Sequence, residues 1–213
     1  MKIVVISDTH GLHRRVSLPK GDVLVHCGDF CNSGTLREVV AFDNWLGEQD
    51  FQHKIVVAGN HDRVFEIDNK QAKEALTNCT YLQDSSVVID GVKFYGSPWQ
   101  PAFFNWAFNL PRGEKLKEKW DVIEQDTDVL ITHGPAHGHL DYVPRDASVG
   151  CEELSKAIKR IKPKLHLCGH IHCGYGVHKE EDTVYVNASV CTERYLPDQK
   201  PVVVELIDGR VKL

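Results

Sequence analysis

Short runs of valine, isoleucine and leucine recur along this chain, and in its first third they alternate with stretches of helical periodicity. Lys2–Ser7, Asp22–His26 and Lys54–Ala58 read as strands rich in β-branched residues. Between them, Thr35–Glu48 predicts a helix with Leu36, Val39, Val40 and Leu46 on one face and Ser33 or Thr35 as its cap. Lys70–Leu76 predicts a shorter helix. A β-α-β rhythm of this kind implies parallel strands with helices outside.

The middle of the chain changes character. Val87–Ile89 and Lys93–Tyr95 read as strands joined by Asp90-Gly91, a hairpin signal. Gly96–Arg112 is dense in Trp, Phe, Asn and Pro and reads as a long ordered loop, its aromatic residues anchoring it to the core. A helix follows near Glu114–Glu124, then a strand at Val129–Thr132. Cys151–Ile161 predicts a helix with Leu154, Ala157, Ile158 and Ile161 inward, stopped before Pro163. Leu165–Cys168, Thr183–Val186, Val202–Ile207 and Val211–Leu213 complete the strands, the last two joined by an Asp208-Gly209 turn. With no repeat or linker, the pattern predicts one domain over residues 1–213. The fold class expected is α/β: two packed mixed sheets with helices on their outer faces.

The apolar runs end in a restricted set of residues. Asp8 and His10 follow Ile3–Ile6, Asp29 follows Val23–Val25, and Asn60 follows Ile55–Val57. His133 follows Val129–Ile131, while His170 and His172 follow Leu165–Leu167. One Asp-x-His after a strand is usually a turn. Five strand ends that each carry a carboxylate, imidazole or amide predict a metal centre where those ends converge. Asp8 with His10, and His170 with His172, are spaced to share one face of an extended chain. Gly28, Gly59 and Gly169 permit tight turns and close backbone approach.

A single catalytic zinc takes three protein ligands and leaves one position open. Seven candidates exceed that need and suit two cations sharing a carboxylate, the arrangement that serves phosphoryl hydrolysis. Mixed nitrogen and oxygen donors fit manganese, iron or zinc better than calcium or magnesium, and manganese is the first expectation. His61, beside Asn60, is a candidate proton donor to the leaving oxygen, with Asp62 expected to set its tautomer. His137 and His139 are candidates for the substrate entrance or for solvated loop positions. His26 and His166 read as structural, and His13, His53 and His178 as surface. Arg63, Arg112 and Arg145 are candidate phosphate contacts, each also readable as ordinary surface charge.

The formal net charge of −5 argues against a broad nucleic-acid or membrane surface, which needs clustered Lys and Arg. No apolar stretch approaches the ~20 residues of a membrane span. Seven cysteines, without a C-x-x-C pair or a visible export signal, predict reduced thiols and a cytoplasmic location. They read as small packing groups, with oxidation sensing as the alternative.

In order and spacing, Asp8-x-His10, Gly28-Asp29, Gly59-Asn60-His61-Asp62, His133-Gly134 and Gly169-His170-Ile171-His172 resemble the calcineurin-like metallophosphoesterase superfamily. The resemblance implies a double β-sandwich and a metal-bridging hydroxide as nucleophile. It further implies one metal on Asp8, His10, Asp29 and His172, and a second completed by Asn60, His133 and His170. Asp29 would bridge, and His61 would be the proton donor with Asp62 its partner. Asn78–Leu82, Tyr95–Trp99, Trp106–Gly113, Lys162–His166 and Asn187–Ser189 are similar to the metallophosphoesterase-domain-containing subgroup. That likeness implies a phosphodiesterase acting on small phosphodiesters, cyclic nucleotides first. The alternatives are a phosphomonoesterase on nucleotides or phosphoproteins, and a nucleotide-binding scaffold with little turnover. The sequence contains no H-x-H-x-D-H of the metallo-β-lactamase type.

Overall fold

A computed structural model describes residues 1–144, 147–207 and 209–213. Arg145 and the Asp208 half of the expected final turn lie outside the described residues.

Two six-stranded mixed sheets face each other. The first runs edge to edge through Arg210–Lys212, Val202–Ile207, Lys2–Ile6, Val23–His26, His53–Val56 and Thr80–Tyr81. Its last four strands are mutually parallel, while Val202–Ile207 lies antiparallel to Lys2–Ile6. The second sheet runs Gly176–Glu180, Thr183–Asn187, Leu165–Cys168, Val129–Thr132, Val92–Ser97 and Ser85–Ile89. Its four central strands are parallel and each edge strand is antiparallel.

Alternation within the strands explains the layering. Ile3 and Val5 join Val23, Val25, Phe94, Val129, Leu165 and Val184 in the core between the sheets. Val4 and Ile6, on the opposite face of the same strand, pack with Phe42, Trp45 and Leu46 of the Leu36–Gly47 helix. Leu130 and Tyr185 of the second sheet likewise meet Leu116, Trp120, Leu154 and Ile158 from the Glu114–Asp121 and Glu152–Ile161 helices. Strands buried on both faces give near-continuous apolar runs, which is the pattern visible in the sequence. This is the α/β metallo-dependent phosphatase architecture.

Local chemistry sets the element ends. Thr35 caps the Leu36–Gly47 helix in a capping box with Glu38. Glu152–Ile161 begins at Cys151 and ends on Lys162 in the left-handed region, immediately before Pro163. The expected Lys70–Leu76 helix is Asn69–Glu74, preceded by a further turn at Val64–Ile67. The aromatic segment contains a two-stranded pairing of Gln100–Pro101 with Asn109–Leu110. Gly176–Glu180 is a strand the hydrophobic pattern does not reveal, because it lies at a sheet edge with four of its five residues exposed.

Candidate metal centre

The loops leaving the carboxyl ends of the parallel strands gather at one end of the two sheets. They are tied together by backbone bonds: Asp8 N–H to Gly28 O and His10 N–H to Asp29 O, both at 2.9 Å. Gly169 N–H donates to His133 O at 2.9 Å in the second sheet, and Ser7 N–H donates to Ala188 O at 2.9 Å across the two.

Asp8 (φ 54°), His10 (φ 44°), Asp29 (φ 58°) and His170 (φ 67°) all adopt left-handed backbone. This corrects the expectation that Asp8/His10 and His170/His172 share a face through extended geometry. The first strand ends at Ile6, and His172 opens a 3-10 turn, His172–Gly174. Left-handed turns swing these side chains back over the strand ends, at a cost on the order of 1–2 kcal/mol per residue. The glycines fulfil the expected close approach. A Cβ on Gly169 would collide with Asp8 Oδ2 and Ser7 Oγ, and one on Gly59 with Asp29 Oδ1.

Three donor groups form there, each with ligand atoms within 4.8 Å of one another: Asp8/His10/His172, Asp29/His133/His170 and His10/Asp29/His61. His10 Nε2 and His172 Nε2 are 3.3 Å apart, and Asp8 Oδ1 is 3.4 Å from His172 Nε2. On the other side, His133 Nε2 lies 3.4 Å from Asp29 Oδ2 and 2.9 Å from Asn60 Oδ1. Separations near 3.4 Å are the edges of a coordination polyhedron with bonds of about 2.1 Å. All seven sequence-predicted ligand residues come together, and this nitrogen–oxygen donor set fits two divalent cations.

Surrounding bonds aim the donors. His133 Nδ1 faces Cys27 O at 2.9 Å and His172 Nδ1 faces Thr192 O at 3.0 Å, leaving each Nε2 toward the centre. Asp8 accepts from His170 N–H at 2.9 Å and from Ser189 Oγ–H at 2.7 Å. Burial opposes charge on Asp8, but the His172 bond and the combined charges of His172, His133 and His10 together hold the carboxyl well below its ordinary range. Burial likewise disfavours charged His133, yet the Asp29 carboxylate raises it to about 9. Burial pushes His10 and His170 down to about 4, the neutral form that offers a lone pair.

His61 N–H donates to Asp29 Oδ1 at 2.7 Å, and its ring lies 4.6 Å from that of His10. Asp62 is not the partner of the His61 ring. Its carboxylate accepts backbone N–H bonds from Asp29, Cys31 and Gly59 at 2.7–2.8 Å, and so fastens two of the converging loops together. Adjacent residues in a tight turn point in different directions, and the His61 Nδ1 partner is instead Asn32 O, at 2.7 Å.

Trp106 and Tyr195 border the centre without a clear sequence signal, and Arg63, a candidate phosphate contact, stands beside Trp106. Trp106 stacks on His61 at 4.2 Å, and the Arg63 guanidinium lies 5.1 Å from the centre of the Trp106 ring. Tyr195 lies 4.8 Å from His10 and 5.3 Å from His172 by ring centroids. Ser189 follows a strand end just as the ligands do, which is the signal that would have found it. His13, expected at the surface, is buried against Phe42 and Trp45; His139 is buried and His137 exposed. Arg112 commits its donors to Gly150 O, Val149 O and Glu152 rather than standing free. His26 bonds Thr9 and Gly28, and His166 bonds Thr132, as structural residues do. All seven cysteines are free thiols; only Cys173 is well exposed.

A cavity of about 120 Å³ lies over the donors, between His61, Trp106, Phe103 and Tyr195. It adjoins a cleft of about 420 Å³ walled by Phe103, Pro135, Val149, Ile171 and Tyr195. Among the described residues no helix is long and apolar enough to cross a membrane.

The model of the calcineurin-like phosphoesterase family matches residues 1–174, which contain all seven donors. The chain belongs to that family. Metallophosphoesterase domain-containing protein 1 of Homo sapiens is 45% identical over 96% of this chain and 71% of its own length. Two solved structures share the fold. A protein of Thermus thermophilus has a TM-score of 0.61 at 16% identity, covering 88% of each chain. An archaeal phosphodiesterase has a TM-score of 0.55 at 18% identity, covering 100% of this chain and 98% of its own. This phosphoesterase is a metal-dependent hydrolase, and its compact cleft suits a small substrate.

Proposed function

We propose that this phosphoesterase hydrolyses small phosphodiesters at two divalent cations, with cyclic nucleotides the first substrate class and manganese the first metal. The observation that carries the reading is Asp29, which belongs to donor groups on both sides of the cleft floor while its Oδ1 fixes the backbone of His61. Asp8, His10, Asp29 and His172 would hold one cation, and Asp29, Asn60, His133 and His170 the other. When bound, such a pair neutralises phosphoryl oxygens and activates water for in-line attack.

The chain's own groups supply the remainder. His61 donates its Nδ1 proton to Asn32 O, so the proton for the leaving oxygen comes from Nε2. Trp106 fixes the plane of that ring by stacking on it. Asp62 holds the Asp29 and Gly59 backbones in place and acts on the reaction by positioning. The apolar cleft beside His170 and His172 offers room for an ester group beyond the phosphorus, which supports a diester.

The test is turnover of bis-p-nitrophenyl phosphate with added manganese, beside p-nitrophenyl phosphate, cyclic nucleotides and nucleoside monophosphates. Diester hydrolysis exceeding monoester hydrolysis is expected. Protein carrying two metals that cleaves only monoesters, or nothing, would overturn the proposal.

A further inference from the structure

A second group of ligand-type side chains meets at the free edge of the second sheet, away from the cleft donors. His178 and Glu180 lie two residues apart on the edge strand Gly176–Glu180 and so project from the same face. His139 reaches them from the loop that follows His133. Its Nδ1 stands 3.5 Å from Glu180 Oε2, and His178 Nε2 stands 3.9 Å from the same oxygen. One ligand atom from each residue lies within 4.8 Å of the other two.

His139 provides the independent sign of a ligand. It is only 6% exposed, and its Nδ1 is buried with no hydrogen-bond partner. A buried polar nitrogen left bare costs free energy that a bound cation would recover. The ring cannot easily turn away, because it is stacked flat on Tyr185 at 3.9 Å with planes 6° apart. Tyr185 is the cross-strand partner of His178, so the sheet itself sets the spacing of the two imidazoles. Asp141, nearby in the loop, is committed elsewhere: its Oδ2 accepts from Gly138 N–H at 3.0 Å and Gly150 N–H at 2.9 Å.

We propose that His139, His178 and Glu180 form a binding site for zinc, separate from the catalytic pair. Two imidazoles and one carboxylate select a borderline cation over magnesium or calcium, which prefer all-oxygen sites. Tetrahedral zinc with bonds of about 2.1 Å needs ligand atoms roughly 3.4 Å apart. The observed 3.5 and 3.9 Å are near that spacing. The His139 and His178 rings stack 5.8 Å apart with planes 29° apart, so coordination requires the His178 ring to rotate, which its 47% exposed side chain permits. The exposure of His178 and Glu180 leaves the fourth position to water. Occupancy would pin the loop to the edge strand. That loop begins at His133 and includes Gly134 and Pro135 of the cleft wall, so zinc here stiffens the wall without touching the cleft donors.

The test is equilibrium dialysis of the metal-stripped full chain against graded micromolar free zinc, with metal counted by mass spectrometry. Wild-type protein is compared with the His178→Ala/Glu180→Gln double variant. Both positions are exposed, so the variant should keep its fold, checked by circular dichroism. Wild type is expected to bind one zinc per chain more than the variant, and each single substitution should weaken that equivalent at least tenfold. Zinc should also raise the thermal midpoint of wild type more than that of the variant. The intact cleft donors are expected to take up zinc equally in both proteins, and that shared uptake is counted in the same samples, so failure of one reading is distinguishable from failure of the other. Equal counts in wild type and double variant would overturn the proposal, leaving His139 and Glu180 as an ordinary contact.

Discussion

His61 holds its Nδ1 2.7 Å from the carbonyl oxygen of Asn32, a bond that fixes which ring nitrogen faces the cleft. The Asn32 carbonyl accepts only, so Nδ1 carries a hydrogen and Nε2 is the nitrogen available to the substrate. His61→Ala is expected to keep both metals while lowering kcat by roughly two to four orders of magnitude. Elemental analysis alongside steady-state kinetics checks this. A variant stripped of metal would make His61 a ligand rather than a proton donor.

Asp29 stands in one donor group with His10 and His61 and in another with His133 and His170, the placement expected of the proposed shared ligand. Asp29→Ala is expected to abolish nearly all turnover and to lower bound metal on both sides, because it removes a shared charge and the anchor of His61. Metal content after dialysis separates this from a purely catalytic defect. Retention of two metals at wild-type affinity would contradict the sharing.

Gly169 leaves no space for a methyl group beside Asp8 Oδ2 and Ser7 Oγ. Gly169→Ala must move the Asp8 carboxylate or the loop that carries His170. Overpacking of this kind costs about 1–3 kcal/mol in stability, and metal affinity should fall with it. Urea denaturation and metal titration read the two effects. Unchanged metal affinity would mean that the loop relaxes without disturbing Asp8.

His13 supplies a pH dependence outside the metal centre. Burial against Phe42 and Trp45 lowers its imidazole from 6.5 to about 4. Between those values the unfolded chain binds a proton that the folded chain refuses, so stability is full above pH 6.5 and falls as pH drops toward 4. At pH 5 the expected loss is about 2 kcal/mol. His13→Phe keeps an aromatic ring in place without the titrating group. Its unfolding free energy should change less between pH 7 and pH 5 than that of wild type. Parallel pH profiles would refute this.

Much of the site was legible because its ligands sit where apolar runs stop. The runs are visible since both faces of Lys2–Ile6, Val23–His26, Val129–Thr132 and Leu165–Cys168 are buried, and a parallel sheet delivers their carboxyl ends to one rim. How the donors converge was not legible. Spacing suggests extended chain, whereas Asp8, His10, Asp29 and His170 turn through left-handed backbone that only the finished network of loops imposes. Asp62 departs from the sequence expectation for a related reason: adjacency to His61 does not put a carboxylate beside its ring. Gly176–Glu180 carries no strand signal because an exposed edge strand shows no alternation. Trp106 and Tyr195 reach the centre from long segments whose path depends on packing elsewhere.

The central claim is that two cations sit side by side across Asp29. Anomalous diffraction from crystals grown with manganese tests it most directly. Two peaks about 3.5–4 Å apart are expected, one against Asp8, His10 and His172 and the other against Asn60, His133 and His170. A single peak, or peaks away from Asp29, would contradict the account.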